Sequence, residues 1–223
     1  MRQKVTIRFG LLFSVLIYAG SSFAQYNDAC LWLNLSMEKK MNKKISLEAG
    51  QEFRFNENYS ELGTFFTELG ATLKYNKHIS FSVYYRCSNK RSLDDMYQFR
   101  HRYFVDLSLR KKIKPVTIIL RSRYQSFAET SYEENTPEKY LREKLSLKYD
   151  LNKKFEPYCY AEIYFPLNNS QYKRVDNLKF ALGIEYNLTK HQSFDVYYLI
   201  QKQVDVKKAN TDFVTGITYR YSF

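Results

Sequence analysis

Two sets of residues in this chain have types and spacings that could do chemistry. The larger is a series of arginines placed two apart in strand-like runs: Arg100 and Arg102, then Arg121 and Arg123, with Arg54, Arg86, Arg142 and Arg220 in similar settings. Lys144, Lys148 and Lys179 share their register. A guanidinium keeps its proton in any protein setting, so a surface that collects several of them binds or guides anions. Acids fall on the same registers at Glu48, Glu52, Glu68, Asp106, Glu185 and Asp195. Charges held inside a closed structure must be paired or hydrated. The set therefore allows two readings. Arg and Glu interlock to fill the interior as a structural plug, or surplus Arg lines a narrow, weakly anion-preferring passage.

The smaller set is His101 with Ser126, an imidazole that could activate a hydroxyl as in a membrane-embedded lipid-modifying enzyme. A tight hairpin at residues 111–115 would bring the two near each other across a strand pair. Only Glu143 stands as a distant candidate to orient the imidazole, and no lipase-type signature surrounds Ser126. His101 thus reads first as a member of an aromatic belt, and the chain reads as a non-enzyme. His78 and His191 lie in basic turns. The three cysteines, Cys30, Cys87 and Cys159, form no disulfide framework, being odd in number and isolated. No Cys-x-x-Cys or His-x-x-x-His spacing supports a metal, and nothing points to a cofactor. The net charge of +12 sits in turns and on strand registers, without a nucleic-acid-binding motif, so nucleic acid is not an expected partner.

The elements that must position these side chains are strands. Residues 45–56 alternate Ile45, Leu47, Ala49, Phe53 and Phe55 against Ser46, Glu48, Gly50, Glu52, Arg54 and Asn56. Residues 65–75, 79–87 and 97–109 repeat the pattern, which a helical period would not sustain. Further segments at 31–37, 116–127, 140–149, 158–165, 178–186, 194–203 and 211–223 bring the total to about eleven. Bacterial single-chain barrels have even strand counts, so ten to twelve are expected, with one segment merged, missed or unusual near residues 25–35. The connections alternate strictly. Residues 39–44, 76–78, 111–115, 152–154 and 189–191 are short and basic; 57–63, 89–96, 128–138, 166–176 and 205–210 are longer and mixed. That alternation matches the short periplasmic turns and long outer loops of an antiparallel transmembrane β-barrel. The basic turns would then meet anionic lipid.

Residues 1–24 read as a secretory signal peptide: Arg2, Lys4 and Arg8, an apolar run from Phe9 to Ala19, and a Ser22-Phe23-Ala24 cleavage site. Residues 25–223 form one domain. No stretch approaches the about 18 apolar residues of a membrane helix. With 21 Tyr and 17 Phe, the chain is rich in the residues that make interfacial girdles. Alternation is symmetric, however, so a secreted soluble β-barrel binding protein, apolar face inward, fits the same pattern. The final run places Phe213, Thr215, Ile217, Tyr219, Tyr221 and Phe223 on one face, and a terminal aromatic of this kind resembles the C-terminal signature of Gram-negative outer-membrane barrels. Trp32, the segment Glu38–Lys44, Phe66-Thr-Glu-Leu-Gly70, Arg100-His-Arg102 and the Tyr219–Phe223 end together resemble an outer-membrane β-barrel family known only as a domain of unknown function. The resemblance implies the bacterial cell outer membrane as location. The basic turns make outer-membrane lipids an expected partner, the strand ending in Phe223 makes the barrel assembly machinery another, and the barrel reads as a monomer. The resemblance attaches no activity.

Overall fold

The computed structural model describes residues 26–92, 94–129, 138–152, 154–168, 175–204 and 209–223. The leader read at 1–24 and most of the 128–138 connection lie outside the described residues. Eleven strands follow in order: β1 Tyr26–Lys40, β2 Ile45–Asn56, β3 Glu61–Lys74, β4 Ile79–Arg91, β5 Tyr97–Ile113, β6 Val116–Glu129, β7 Glu138–Tyr149, β8 Phe155–Pro166, β9 Asn177–Asn187, β10 Gln192–Gln203 and β11 Asn210–Ser222. Each pairs with its successor antiparallel, and β1 closes on β11 in parallel. The parallel seam is forced by parity. Direction alternates along a meander, so with an odd number the first and last strands run the same way. Eleven falls within the expected ten to twelve, the even-number rule does not hold here, and the segment near residues 25–35 is a full strand in a parallel ladder. Closure leaves no unpaired edge.

Four of the five short turns, all but the Lys114–Pro115 turn, share one construction. The side-chain carbonyls of Asn42, Asn76 and Asn152 each accept the backbone N–H groups two and three residues on, at 2.7 to 2.9 Å. The Thr189 hydroxyl accepts from His191 and Gln192 at 3.1 Å. Asn and Thr do this readily because their side chains mimic a backbone carbonyl. His78 and His191 are not merely solvated: Nδ1 of each lies 3.0 and 2.7 Å from the Arg110 and Ser222 carbonyls of the neighbouring strand. At the opposite end, the expected 57–63 loop is only the turn Glu57–Ser60, and Glu61 to Gly63 already belong to β3. Glu57, Asn58 and Tyr59 take positive φ of 50°, 55° and 70°. Successive left-handed residues turn their amides into one concavity that favours an anion. Asp28 supplies it, accepting from Glu57 and Asn58 N–H at 3.0 and 2.9 Å.

The two faces of the sheet differ as the alternation requires. Leu182 is 70 % exposed on the outside, whereas Glu162 is 3 % exposed on the inside. An outer apolar surface around a polar interior overturns the soluble β-barrel alternative, whose apolar face would be enclosed. The interior is not uniformly ionic, however. Cys30, Trp32, Ala181, Leu199 and Val214 form an inward apolar cluster on the β1, β9, β10 and β11 wall, with Tyr160 and Tyr197 packed against it.

Three inward glycines let aromatic rings lie flat on the sheet. Gly70 opposes Tyr84, Gly183 opposes Tyr158, and Gly216 opposes Tyr197. A Cβ on Gly216 would sit 1.9 Å from the Tyr197 ring, and one on Gly70 would sit 2.1 Å from Tyr84. Aromatic cover of a strand glycine is a recurring sheet device. Gly216→Ala should therefore destabilise the barrel by about 1–3 kcal/mol through overpacking. Combining it with Tyr197→Ala should give a smaller loss than the sum of the single changes. Urea midpoints for loss of folded electrophoretic mobility check both statements.

Candidate functional site

Inside the barrel, like charges stand directly opposite one another on neighbouring strands: Arg86 and Arg102, Arg121 and Lys144, Arg123 and Arg142. Opposed like charges destabilise a sheet. Carboxylates reaching in from other positions offset most of this. Arg123 donates through Nε and Nη2 to both Asp106 oxygens at 2.6 and 2.7 Å. Arg142 on β7 and Arg121 on β6 both donate to Glu162 on β8. β6 and β8 do not touch, so Arg121 and Glu162 meet only across the interior. Arg86 donates to Glu68 at 2.7 Å and Arg54 to Glu52 at 2.6 Å. Towards the short turns, Lys148 and Arg220 share Glu185, Tyr158 donates to Asp195, and Tyr84 donates to Glu48.

Aromatic faces complete the cation environment. Arg54 lies 3.8 Å from the Trp32 ring centroid, Arg86 3.7 Å from Phe66, Arg123 3.8 Å from Phe104, and Lys144 3.5 Å from Tyr160. Such contacts strengthen when the cation is desolvated. The arrangement packs guanidinium planes and rings into layers that narrow the bore.

The remaining space lies mainly at the end with the longer loops. A cavity of about 350 Å³ there is bounded by Arg54, Arg86, Lys90, Arg100 and Arg102, with Asp28, Asp212 and the amides of Gln201 and Gln203 also lining it. Nearer the short turns a pocket of about 80 Å³ carries Asn34, Ser36, Glu48 and Glu68. Phe66 and Arg86 border both spaces. Arg102 differs from its neighbours. Among the described residues it makes no ion pair, its Nε is buried without a hydrogen-bond partner, and its closest aromatic contact is Phe127 at 5.2 Å.

His101 and Ser126 do not form a catalytic pair. The β5–β6 register sets Ser126 opposite Tyr103 and His101 opposite Ala128. The His101 ring instead meets the Tyr85 hydroxyl at 2.7 Å through Nδ1 and the edge of Phe99 at 4.7 Å. Glu143, the distant acid, accepts from Ser122 at 2.7 Å. Asp28, Cys30 and Asp212 do cluster, with one ligand-type atom from each within 4.8 Å of the others. Their oxygens already serve the protein: Asp28 holds the β2–β3 turn and the Cys30 thiol, while Asp212 accepts from Asn210 and Gln201. All three cysteines are free thiols.

Glu162 is the functional residue that pattern reading passes over. On β8 it shares a face with Tyr158, Tyr160 and Tyr164, and the other face carries Cys159, Ala161, Ile163 and Phe165. Both faces look apolar, so alternation alone does not say which is inside. Its acid among three tyrosines is the available signal. Glu162→Gln should cost about 3–5 kcal/mol, because it leaves two guanidiniums without their carboxylate. Lys112→Ala at the solvent-exposed Lys112–Asp150 pair should cost less than about 1 kcal/mol. Denaturant midpoints of the folded barrel measure both.

With this geometry established, comparison with known proteins identifies the fold. Among curated proteins none matches the chain in sequence. A NanC porin structure superposes with a TM-score of 0.51 at 13 % identity, over 78 % of this chain and 86 % of that one. The β domain of the Bordetella autotransporter BrkA gives 0.51 at 11 % identity, covering 82 % and 86 %. A bacterial polysaccharide outer membrane secretin gives 0.53 at 9 % identity, covering 78 % of this chain and 63 % of its own. At these identities the likeness is one of fold, that of outer-membrane β-barrels. Residues 29–212 match a family model described as "Protein of unknown function (DUF2490)", and by the extent of that match this chain belongs to the DUF2490 family.

Proposed function

We propose that the protein is embedded in the bacterial outer membrane and that its loop-side cavity is the vestibule of a narrow, weakly anion-preferring passage. One observation carries this reading. Five cationic side chains, Arg54, Arg86, Lys90, Arg100 and Arg102, line the vestibule beside Asp28 and Asp212, with Glu52 and Glu68 answering Arg54 and Arg86 from below and Arg102 left without a carboxylate among the described residues. A cationic mouth with low-dielectric walls raises the local concentration of anions. The likeness in fold to a porin supports a channel-type protein. The outward surface fits a bilayer: Leu35, Met37, Leu69, Val83 and Leu182 are each more than half exposed. On this reading the lysine-rich turns lie at the periplasmic side, each Lys near anionic lipid contributing about 1 kcal/mol.

The pathway runs past Phe66 and Arg86, the residues common to the two cavities. There the Arg86–Glu68 and Arg54–Glu52 pairs narrow it. A second reading is favoured by the fully buried Leu199 and Val214 and by the Glu162 hub, which fill part of the bore. In that case the barrel is a closed structural element with a solvent-filled cup.

Planar-bilayer recording separates the two. The passage reading expects small, stable conductance steps and a reversal potential on the anion side under a KCl gradient. Arg100→Glu with Arg102→Glu should move that potential towards cations. A folded, inserted protein that gives no steps would leave the structural reading standing and the passage refuted.

A further inference from the structure

Among the described residues the vestibule holds one cation without a neutralising partner, and we propose that Arg102 is the centre of a binding site for a small phosphate-bearing anion, a phosphorylated polyol in particular. The inference rests on the vestibule of the proposed function but not on conduction. Arg102 faces Arg86 across the β4–β5 ladder, with Arg100 two residues along the same strand. The charges that act on it most strongly are the guanidiniums of Arg86, Arg142 and Arg54. Arg86 already has Glu68, Arg142 has Glu162, and Arg54 has Glu52. Arg102 has no carboxylate among the described residues, and its Nε lies buried without an acceptor.

A guanidinium cannot relieve this by losing its proton. Buried charges in proteins are paired, so the missing partner comes from solution. Asp28 and Asp212 line the same cavity but are committed to the β2–β3 turn, the Cys30 thiol and the amides of Asn210 and Gln201. The chemistry that fits is an oxyanion matching the guanidinium fork. Several positive charges converging at one place favour a phosphate, near two negative charges at neutral pH with three acceptor oxygens, over a single carboxylate. The cavity, about 350 Å³, exceeds a bare phosphate. Its lining also carries Gln201, Gln203, Asn56 and Asn210, side-chain amides with donor and acceptor capacity left for hydroxyl groups, the Asn210 carbonyl among them being buried without a partner.

Trp32, the only tryptophan, lines this cavity beneath Arg54, so its fluorescence reports occupancy. Purified full-length protein in non-ionic detergent is titrated at constant ionic strength with inorganic phosphate, a hexose 6-phosphate, a hexuronate and chloride. Saturable quenching or enhancement is expected with both phosphates, at tenfold or lower concentration for the ester, and without saturation for chloride. Inorganic phosphate binding as tightly as the ester would overturn the polyol assignment. Equal binding of the hexuronate would overturn the phosphate class. No saturable response from any anion would overturn the site, whatever bilayer recordings show. Arg102→Gln should weaken phosphate binding tenfold or more while remaining folded. Without phosphate its thermal midpoint should equal or exceed that of the unaltered protein, and added phosphate should raise only the latter. A variant that unfolds earlier without phosphate, or fails to fold, would show that Arg102 is satisfied within the protein and would overturn the proposal.

Discussion

The structure depends on neutralising the arginines and lysines that its strands turn into the bore. Alternation sends every second side chain inward, and on β4 to β7 those positions include Arg86, Arg100, Arg102, Arg121, Arg123, Arg142, Lys144 and Lys148. Neighbouring strands then set like charges face to face, as at Arg123 and Arg142. No rotation of side chains within one strand pair cures this. The cure comes from carboxylates held at a distance in sequence, Glu162 above all, which accepts from two strands at once. Buried ion pairs add little net stability compared with an apolar core, but removing one partner is severe. The interior network thus fixes which strands must sit near one another and resists any change in strand order or register.

The same constraint explains the aromatic content. Rings could all have faced outward as girdle residues, and many do. Trp32, Phe66, Tyr84, Phe104, Tyr158, Tyr160 and Tyr164 instead face the bore, where they flank guanidiniums or carry hydroxyl groups to acids. The inward glycines make room for them. A ring lying over Gly70, Gly183 or Gly216 occupies the level of the sheet and not the centre of the tube. The result is lopsided. The β1, β9, β10 and β11 wall carries the apolar cluster, and the β5 to β8 wall carries the Asp106 and Glu162 ion pairs.

Much of this was legible in the residues, and the failures have physical causes. The strand segments, the alternation of short basic turns with longer loops, and the polar face of β2 to β6 follow from a period of two wherever one face is clearly greasier. The period falls silent on β8, where tyrosines on one face and aliphatic or aromatic groups on the other look alike, and Glu162 is hidden there. Strand number was counted correctly as about eleven but resisted by the even-number rule. That rule concerns meanders whose ends pair antiparallel, and the β1–β11 seam pairs in parallel. The 57–63 segment read as a long loop because its residues are polar. It is tight because Asp28, thirty positions away from Asn58, fills the concavity of its backbone amides, a long-range contact that no local pattern encodes. His101 and Ser126 looked adjacent because a hairpin was assumed to place them so; the observed register offsets them by two residues.

The charge balance also bears on how a solute would meet this interior. A plug and a passage are usually opposed, but here the proposed vestibule is itself walled in part by the apolar cluster, through Cys30 and Trp32. The apolar cluster and the Glu162 hub close the side that includes β8 to β11. The vestibule lies loopward of them, lined by β1 to β5 and by Gln201, Gln203, Asn210 and Asp212 of β10 and β11, and the wall it shares with the lower pocket is Phe66 and Arg86. Arg86 is held there by a single carboxylate, Glu68, and by stacking on Phe66. An anion at Arg102 would sit beside Arg86 and compete with Glu68 for it, because both acceptors need the same guanidinium. Occupancy of the vestibule is thereby tied to the contact that narrows the route beneath it. The residues that fix the barrel and those that would admit a solute meet at this one arginine.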